Sequence, residues 1–332
     1  MGTRLDTLWY GKSPLAALLA PLGWLYCAGM WLRAAAYRKG VLASGRVGVP
    51  VIVVGNISVG GTGKTPLVVW IARYLRSRGL RPGILSRGYR GRAGKWPQQV
   101  RADSDPIMVG DEPVLLARAT GCPVAADPDR LRAARTLVAH VECDVLVSDD
   151  GLQHLAMGRD VEIAVVDGTR RHGNGRCLPA GPLREPVSRL ESVDMVVANG
   201  VALGGEFGMR LAASDAVSLV EASLSRPLEE FADGPVHALC GIGAPERFFN
   251  TLERAGLTLV RHRFPDHHDF RAGDIRFDDA LPVLMTEKDA VKCRRFADSR
   301  HWSVPVRAEL PRAFAERLMS LLGVDAPPGP ET

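Results

Sequence analysis

Residues Val49–Thr65 read VPVIVVGNISVGGTGKT, and this stretch carries the strongest signal for the fold. Val49–Gly55 is a continuous apolar run without polar alternation, which predicts a strand buried on both faces of a sheet. A glycine-rich loop follows, and the segment from Thr65 to Arg78 has the pattern of a helix that ends before Gly79. Strand, glycine loop and helix in this order form the local framework of a P-loop.

The glycine loop has the composition of a phosphate site. Its glycines let backbone N–H groups turn towards phosphate oxygens, and the following helix adds the positive end of its dipole. Lys64 would neutralise the β- and γ-phosphate oxygens, and the Thr65 hydroxyl would ligate Mg²⁺. Ser58 departs from the general pattern, which has a glycine at that position. The loop predicts ATP and Mg²⁺ as cofactors, and its predicted binding residues are Ser58, Val59, Gly60, Gly61, Thr62, Gly63, Lys64 and Thr65.

Strands and helices alternate beyond this loop. Apolar runs predict further strands at Gly83–Ser86, Pro123–Ala126, Val145–Ser148, Ile163–Asp167 and Met195–Ala198. Helical patterns lie between several of them, at Glu112–Thr120 and Asp129–Val141. This alternation predicts an α/β fold with a doubly wound, mostly parallel sheet, whose functional loops follow the carboxyl ends of the strands.

The length of 332 residues allows two domains, and the chain becomes polar and turn-prone around Leu224–Gly234. After that stretch, Val236–Cys240 and Val283–Thr286 are predicted strands and Pro311–Leu322 is a predicted last helix. We therefore predict an N-terminal membrane-associating segment (1–46), a P-loop core (47–228), a smaller C-terminal α/β lobe (229–322) and a disordered tail (323–332).

The net charge of +5 lies entirely in residues 1–46, which hold six basic residues and one acidic residue. Within them, Ser13–Leu32 is uncharged and long enough to cross a bilayer as one helix, although Pro21 and two glycines interrupt it. We expect contact with a membrane surface, as an interfacial helix or as a true span, and a packed core helix is the third alternative. Since the rest of the chain is neutral and has no nucleic-acid-binding motif, we predict no nucleic acid partner.

Six cysteines are scattered along the chain without a CxxC pair. They are Cys27, Cys122, Cys143, Cys177, Cys240 and Cys293. This spacing predicts small buried side chains in a reducing compartment, with neither a zinc site nor a disulfide framework. A hydrophobic content of 46% and a charged content of 24% are those of a folded globular protein.

Carboxylates that could complete a phosphoryl-transfer site occur in two segments. Asp149 and Asp150 follow the apolar run Val145–Ser148, and an acidic residue at a strand end is what a P-loop needs for its Mg²⁺. Neighbouring strand residues point to opposite faces, so we expect only one of the two to approach the metal directly. An ordinary Asp-Asp-Gly turn is the alternative. Asp111, before a predicted helix, is either an N-cap or a carboxylate that orients an attacking hydroxyl.

Two adjacent histidines lie in the segment FPDHHDF, residues 264–270. A metal site is one interpretation, but no third ligand with convincing spacing lies nearby. A histidine paired with a carboxylate for proton transfer is favoured, and solvated loop histidines are the alternative.

Together these segments resemble the tetraacyldisaccharide 4′-kinase family over nearly the whole chain. The matching motifs are GNISVGGTGKTP (55–66), SRGYRG (86–91), GDEP (110–113), DDGLQH (149–154), LPAGPLREP (178–186), FPDHH (264–268) and TEKDAVK (286–292). The resemblance implies transfer of the γ-phosphate of Mg·ATP to the 4′-hydroxyl of a tetraacyldisaccharide 1-phosphate, a lipid A precursor. The product would be lipid IVA of lipopolysaccharide biosynthesis, made at the cytoplasmic face of the bacterial inner membrane.

The resemblance also implies roles for single residues. The implied catalytic residues are Asp111, His267 and Lys64, and the implied metal-binding residues are Thr65, Asp149, Asp150 and Glu185. Asp111 would be the catalytic carboxylate and His267 would assist it, although the adjacent His268 leaves the choice of histidine open. Arg87 and Arg130 would lie near anionic groups.

Two other classes fit parts of the sequence. A P-loop ATPase or GTPase of the partitioning, targeting or metallochaperone type often has a lysine where this chain has Val59, and the chain has no Cys/His cluster for a metal. A non-enzymatic membrane adaptor would use the N-terminal segment but has no need of Lys64, Asp111 and Asp149. Contacts to the nucleotide base stay open, with Asn199–Gly200 and Thr286–Asp289 as candidates.

Overall fold

Two β-sheets organise the computed structural model, which describes residues 2–11 and 13–323. The helices are α1 (Gly2–Tyr10), α2 (Pro14–Leu18), α3 (Ala20–Arg38), α4 (Lys64–Ser77), α5 (Pro106–Val109), α6 (Asp111–Thr120), α7 (Arg130–His140), α8 (Pro245–Arg254), α9 (Glu287–Cys293) and α10 (Arg312–Leu322). The strands are β1 (Val51–Gly55), β2 (Pro82–Ser86), β3 (Gln98–Val100), β4 (Val124–Ala126), β5 (Val145–Asp149), β6 (Val161–Asp167), β7 (Met195–Asn199), β8 (Phe207–Ala213), β9 (Ala216–Ser218), β10 (Ser225–Arg226), β11 (Pro235–Cys240), β12 (Thr258–Arg263), β13 (Val283–Thr286), β14 (His301–Val304) and β15 (Val306–Glu309).

The larger sheet has nine strands in the order β15-β8-β7-β6-β1-β5-β2-β4-β3. The seven strands from β8 to β4 are parallel, and the two outer strands run antiparallel to their neighbours. This arrangement confirms the α/β fold and the mostly parallel sheet that the alternating pattern predicts. The P-loop strand β1 lies inside the sheet, where a continuous apolar run is needed because both faces are covered.

The two faces of strand β1 pack into different hydrophobic clusters, as the two-residue period of a strand requires. Ile52 and Val54 belong to the cluster that α4, α6 and α10 cover. Val51 and Val53 belong to the cluster that α7 covers on the other face. The last described helix of the chain therefore packs on the same sheet as the P-loop helix.

The smaller sheet has six strands in the order β10-β9-β14-β13-β11-β12, of which the last four are parallel. Helix α8 packs on one face through Phe249 and Leu252, and α9 packs on the other through Ala290 and Cys293. Strand β9 precedes residue 229 yet pairs with β14, whereas β15 follows it and pairs with β8. The predicted boundary between residues 228 and 229 stays a prediction, and the chain crosses between the sheets on both sides of it.

The N-terminal helices do not support the transmembrane alternative. Among residues 2–11 and 13–323, no helix is both long enough and apolar enough to cross a bilayer. The uncharged stretch Ser13–Leu32 is divided between α2 and α3, and α3 continues into the charged residues Arg33 and Arg38. The predicted tail lies outside the described residues, apart from Gly323.

The prediction of no disulfide is wrong for one pair of cysteines. Cys27 and Cys177 form a disulfide, with Cα atoms 6.4 Å apart. Helix α3 packs against the loop that contains Cys177, around Ile57 and Leu183, and so brings together two thiols that are 150 positions apart in sequence. The other four cysteines are free and buried, as predicted.

Candidate active site

The glycine loop between β1 and α4 adopts a conformation that depends on its glycines. Gly60 and Gly63 have φ values of +107° and +96°, a backbone region that residues with a Cβ rarely adopt. The Asn199 amide nitrogen donates a hydrogen bond to the Thr62 carbonyl at 3.1 Å. Asn199 therefore holds the loop in place through this contact. The sequence around Asn199 gives no sign of this structural role.

A second brace comes from the segment LPAGPLREP. The Val59 N–H donates to the Pro182 carbonyl at 2.8 Å, and Ser58 forms an isolated β-bridge with Leu183. The disulfide partner Cys177 also forms a bridge with Leu183. Helix α3, the disulfide loop and the P-loop are thus connected in one continuous chain of contacts.

The carboxylates at the end of β5 lie beside the P-loop, as predicted. Lys64 Nζ is 3.6 Å from Asp150 Oδ1. Burial raises the pKa of Asp149 to about 7, with Glu112 contributing and Lys64 opposing. Burial alone would also raise the pKa of Asp150, but Lys64 and Arg184 together lower it to about 2. The neighbouring aspartates therefore have different environments, because Asp149 is the buried last residue of β5 whereas Asp150 lies in the turn after it, at φ +50°, beside Lys64 and Arg184.

The residues at this point fit a magnesium ion held jointly with phosphate. Asp149 Oδ1 is fully buried and has no hydrogen-bond partner among the described residues. Thr65, Asp149 and Asp150 line the same cleft. Carboxylate and hydroxyl oxygens are hard ligands that suit Mg²⁺, which keeps coordination positions for water and phosphate oxygens. The described parts of the chain hold no cluster of three or more His, Cys, Asp or Glu residues that could bind a metal ion.

Glu185 is close to this region but is occupied by other partners. Its Oε1 accepts a hydrogen bond from Gln153 at 2.6 Å, and its Oε2 lies 3.3 Å from Arg189 Nε. Gln153 lines the cleft, whereas Glu185 does not. The metal role of Glu185 stays a prediction, and these contacts favour a bracing role through Gln153 instead.

Asp111 and His267 come together from different parts of the chain. Asp111 begins α6, and His267 lies in the loop after β12; His267 Nδ1 is 3.3 Å from Asp111 Oδ2. Burial alone would raise the pKa of Asp111, but the hydrogen bond from His267 and the charges of Lys288 and Lys292 lower it. The carboxylate is therefore ionised at neutral pH. Asp111 is almost fully buried, and His267 lines the cleft beside it.

The adjacent His268 points to a different set of partners. Its Nε2 is 3.1 Å from Asp274 Oδ2, and its ring packs against Phe264 and Phe270. Of the two histidines of the FPDHH motif, His267 is therefore the one that contacts Asp111, and its catalytic role stays a prediction.

Arg130 holds the end of strand β5 through hydrogen bonds to backbone carbonyl oxygens. It is buried, and its guanidinium donates to the Asp127 and Asp149 carbonyl oxygens at 3.0 and 2.8 Å. Burial lowers its pKa to about 10, although Asp149 and Asp150 oppose that shift. Its described contacts are with the backbone, so it positions the acidic pair.

One cleft of about 1980 Å³ joins the P-loop, the end of β5 and His267. Its lining includes Lys64, Asp149 and His267, together with several arginines such as Arg87 and Arg247. A cleft with a phosphate loop, paired carboxylates and many guanidinium groups suits a polyanionic ligand. The Asp111–His267 pair beside it suits proton removal from a hydroxyl.

Comparison with known families gives a match over most of the chain. A family model described as "Tetraacyldisaccharide-1-P 4′-kinase" matches residues 15–323. A protein named tetraacyldisaccharide 4′-kinase from Nitrosococcus oceani is 54% identical over 95% of this chain and 93% of its own length. One of the same name from Aeromonas hydrophila is 51% identical over 96% of both chains.

A solved structure has the same fold. The crystal structure of LpxK from Aquifex aeolicus, described as an "apo" form in complex with ATP, superposes with a TM-score of 0.80. The two sequences are 28% identical, and the match covers 93% of this chain and 99% of that one. These findings do not favour the partitioning or metallochaperone ATPase.

Proposed function

This chain belongs to the tetraacyldisaccharide 4′-kinase family, and we propose that its Asp111–His267 pair removes the proton of the acceptor hydroxyl. The protein is an ATP-dependent kinase that transfers the γ-phosphate of ATP to the 4′-hydroxyl of a tetraacyldisaccharide 1-phosphate in lipid A biosynthesis. The single observation that carries the proposed role is the 3.3 Å contact between His267 and Asp111 at the cleft that Lys64 also lines.

The proposed mechanism divides the work between two groups of residues. The P-loop backbone and Lys64 bind and neutralise the phosphates, since phosphoryl transfer depends mainly on positioning and charge stabilisation. Thr65, Asp149 and Asp150 would hold Mg²⁺, which supplies further neutralisation of phosphate charge when bound. A sugar hydroxyl is a weak nucleophile, so the ionised Asp111 and the imidazole of His267 together draw off its proton as the new bond forms.

Two matched substitutions test these roles. Lys64→Ala should weaken both ATP binding and transfer, because the lysine acts on the phosphates. Asp111→Asn keeps the shape of the side chain and should leave ATP binding near wild type while transfer falls by about 10²- to 10⁴-fold. Label transfer from γ-labelled ATP to the disaccharide lipid measures the second effect. The control is Asp269→Asn, a highly exposed aspartate in the same loop as His267. Full activity of Asp111→Asn would remove the pair from the mechanism.

We also propose that α2 and α3 lie on the cytoplasmic surface of the bacterial inner membrane. Large apolar side chains on these helices are exposed, including Leu18 at 76% and Trp24 at 71%. Helix α3 also contributes Tyr26 and Arg33 to the lining of the cleft. An apolar surface at the edge of the active cleft would give a membrane-embedded acceptor a short path to the phosphates.

Vesicle binding tests this orientation. We expect Trp24→Ser with Leu18→Ser to reduce co-sedimentation with vesicles that contain anionic lipid. The matched control is Val201→Ser with Leu203→Ser, which removes two exposed apolar residues at 69% and 58% exposure from another surface. Equal binding by both double variants would contradict the proposed surface.

A further inference from the structure

The motif TEKDAVK, residues 286–292, contributes two lysines to the Asp111–His267 pair. Thr286 is the N-cap of α9, and its hydroxyl oxygen accepts a hydrogen bond from the Asp289 N–H. Lys288 and Lys292 are four residues apart and so lie on one face of this helix. Helix α9 packs on α6, the helix that Asp111 begins. Both ammonium groups therefore extend towards the pair from one helix face.

Lys288 contacts the imidazole nitrogen that does not face Asp111. Its Nζ is 3.1 Å from His267 Nε2, 3.2 Å from Glu112 Oε1 and 3.8 Å from Asp266 Oδ1. Burial alone would lower the pKa of Lys288, but Glu112, Asp111 and Asp266 raise it. The amine is therefore a protonated ammonium at neutral pH, with donors for all three neighbours.

This contact determines where the imidazole proton lies. An ammonium has three donors and no acceptor, so His267 Nε2 must present its lone pair to Lys288. The remaining proton of a neutral imidazole is then on Nδ1, which is 3.3 Å from the Asp111 carboxylate. A doubly protonated imidazole would place an N–H group directly against the ammonium, and two donors repel each other.

We propose that Lys288 is a positioning residue that holds His267 in the neutral tautomer with its proton on Nδ1. This inference rests on the proposed function of the Asp111–His267 pair. Lys288 thereby keeps a lone pair on Nε2, which is the form of the imidazole that can accept a proton. When a proton arrives at Nε2, the ammonium can turn towards Glu112 and Asp266, which already lie within 4 Å.

Lys292 provides a matched comparison on the same helix. Its Nζ donates to the His268 carbonyl at 3.0 Å and lies 3.3 Å from Asp289 Oδ1. It is 4.0 Å from Asp111 Oδ2, so it acts on the carboxylate side of the pair. Replacing it removes the same charge from α9 while the contact between Lys288 and His267 Nε2 stays in place.

The test is the ¹⁵N imidazole spectrum of the full chain labelled at histidine, with the His267 signals assigned by their loss in His267→Gln. The wild type should show an unprotonated Nε2 and a protonated Nδ1 at neutral pH. Lys288→Met should show a proton on Nε2 in part of the molecules, because no ammonium then donates to that nitrogen. Lys288→Arg and Lys292→Met should keep the wild-type pattern.

Kinetics provide a second readout that a merely structural role would not change. Lys288→Met should lower kcat by about 10- to 100-fold, within the lower part of the range for lost acid–base catalysis, and move the acid limb of the kcat–pH profile upwards. Lys288→Arg should restore the profile. The charged, titratable and aromatic groups around the imidazole and its backbone carbonyl are Asp111, Asp266, Lys288, Tyr89 and Arg90, with Glu112 and Lys292 one contact further away.

Two results would overturn the proposal. One is a wild-type His267 with its proton on Nε2, a measurement that needs no Lys288 variant to fold. The other is a folded Lys288→Met protein whose spectrum and pH profile both match the wild type. Failure of the proposed function would give a different result from failure of this proposal. A fully active Asp111→Asn enzyme would refute the catalytic role of the pair, whereas the His267 tautomer measured in the wild type would still be the one proposed here.

Discussion

Replacing Asn199 with alanine should weaken ATP binding without touching any residue of the P-loop. Asn199 is the last residue of β7, and its side-chain amide donates to the Thr62 carbonyl inside the loop. Its Nδ2 would lie only 2.7 Å from a Cβ at Gly63, so the amide fits closely against the loop glycine. The loop therefore has its phosphate-binding shape partly because this one side chain holds it from behind.

The expected magnitude follows from what the substitution leaves unpaired. Thr62 is 3% exposed, so its carbonyl has little access to water when the amide is removed. Leaving a buried acceptor without a donor costs about 1–3 kcal/mol, which corresponds to about a 5- to 150-fold change in an equilibrium constant. The ligand-free loop can relax to avoid this cost, and ATP binding must then restore the strained shape. The apparent Kd for ATP should rise by a factor in that range.

Isothermal titration with Mg·ATP measures this change directly. Asn199→Asp is the matched variant: it keeps the size of the side chain but sets a carboxylate oxygen against the Thr62 carbonyl, so its loss of affinity should be at least as large. Wild-type affinity in both variants would refute the argument that Asn199 maintains the loop. Weaker binding in Asn199→Ala together with normal binding in Asn199→Asp would show that lost volume matters and the hydrogen bond does not.

Three other predictions concern the pH dependence of stability, the disulfide and the space around Gly151. Burial together with Arg130 lowers the pKa of His154 to about 4, below its unfolded value of about 6.5, so the folded protein binds fewer protons across that window. As pH falls from about 6.5 to about 4, the wild type should lose free energy of unfolding relative to His154→Gln; parallel curves from denaturant titrations would contradict this. Peptide mapping without reductant should find Cys27 and Cys177 linked, and two alkylated thiols would count against the disulfide. Gly151→Ala should cost about 1–3 kcal/mol in thermal or denaturant unfolding, because its Cβ would lie 2.6 Å from the Ser148 hydroxyl; a wild-type unfolding curve would show that the turn yields freely.

Elements with local signals could be predicted from the sequence. The predicted strand Val49–Gly55 is observed as Val51–Gly55, and the predicted helix from Thr65 to Arg78 is observed as Lys64–Ser77. Both predictions depend on apolar periodicity and on nearby glycines. These signals are local, because they lie within the helix or strand itself or directly beside it in sequence. The placement of Asp149 at the end of a parallel strand beside the P-loop follows from the same reasoning, since such strand ends meet at one edge of the sheet.

Contacts between distant segments could not be predicted in the same way. Cys27 meets Cys177 because α3 lies on a loop 150 positions further along the chain, and no spacing rule encodes that approach. The choice between His267 and His268 is similar, since both have a carboxylate neighbour in sequence. Their separation depends on the positive φ of His267, +59°, which turns its ring towards Asp111. The loop must also pack against α6 and α9 for that backbone conformation to bring the His267 ring to Asp111.

The location of the Asp111–His267 pair relative to the sheets explains why its environment needs two lysines. Asp111 belongs to a helix on the nine-stranded sheet, whereas His267 follows a strand of the six-stranded sheet, and α9 packs across the junction. A carboxylate buried at such a junction is stable as an anion only if nearby donors and cations compensate its lost hydration. Lys288 and Lys292 provide that compensation from one helix face. The same lysine charges that keep Asp111 ionised also fix the imidazole of His267 beside it. The buried carboxylate and the imidazole therefore form an ordered pair that can accept a proton.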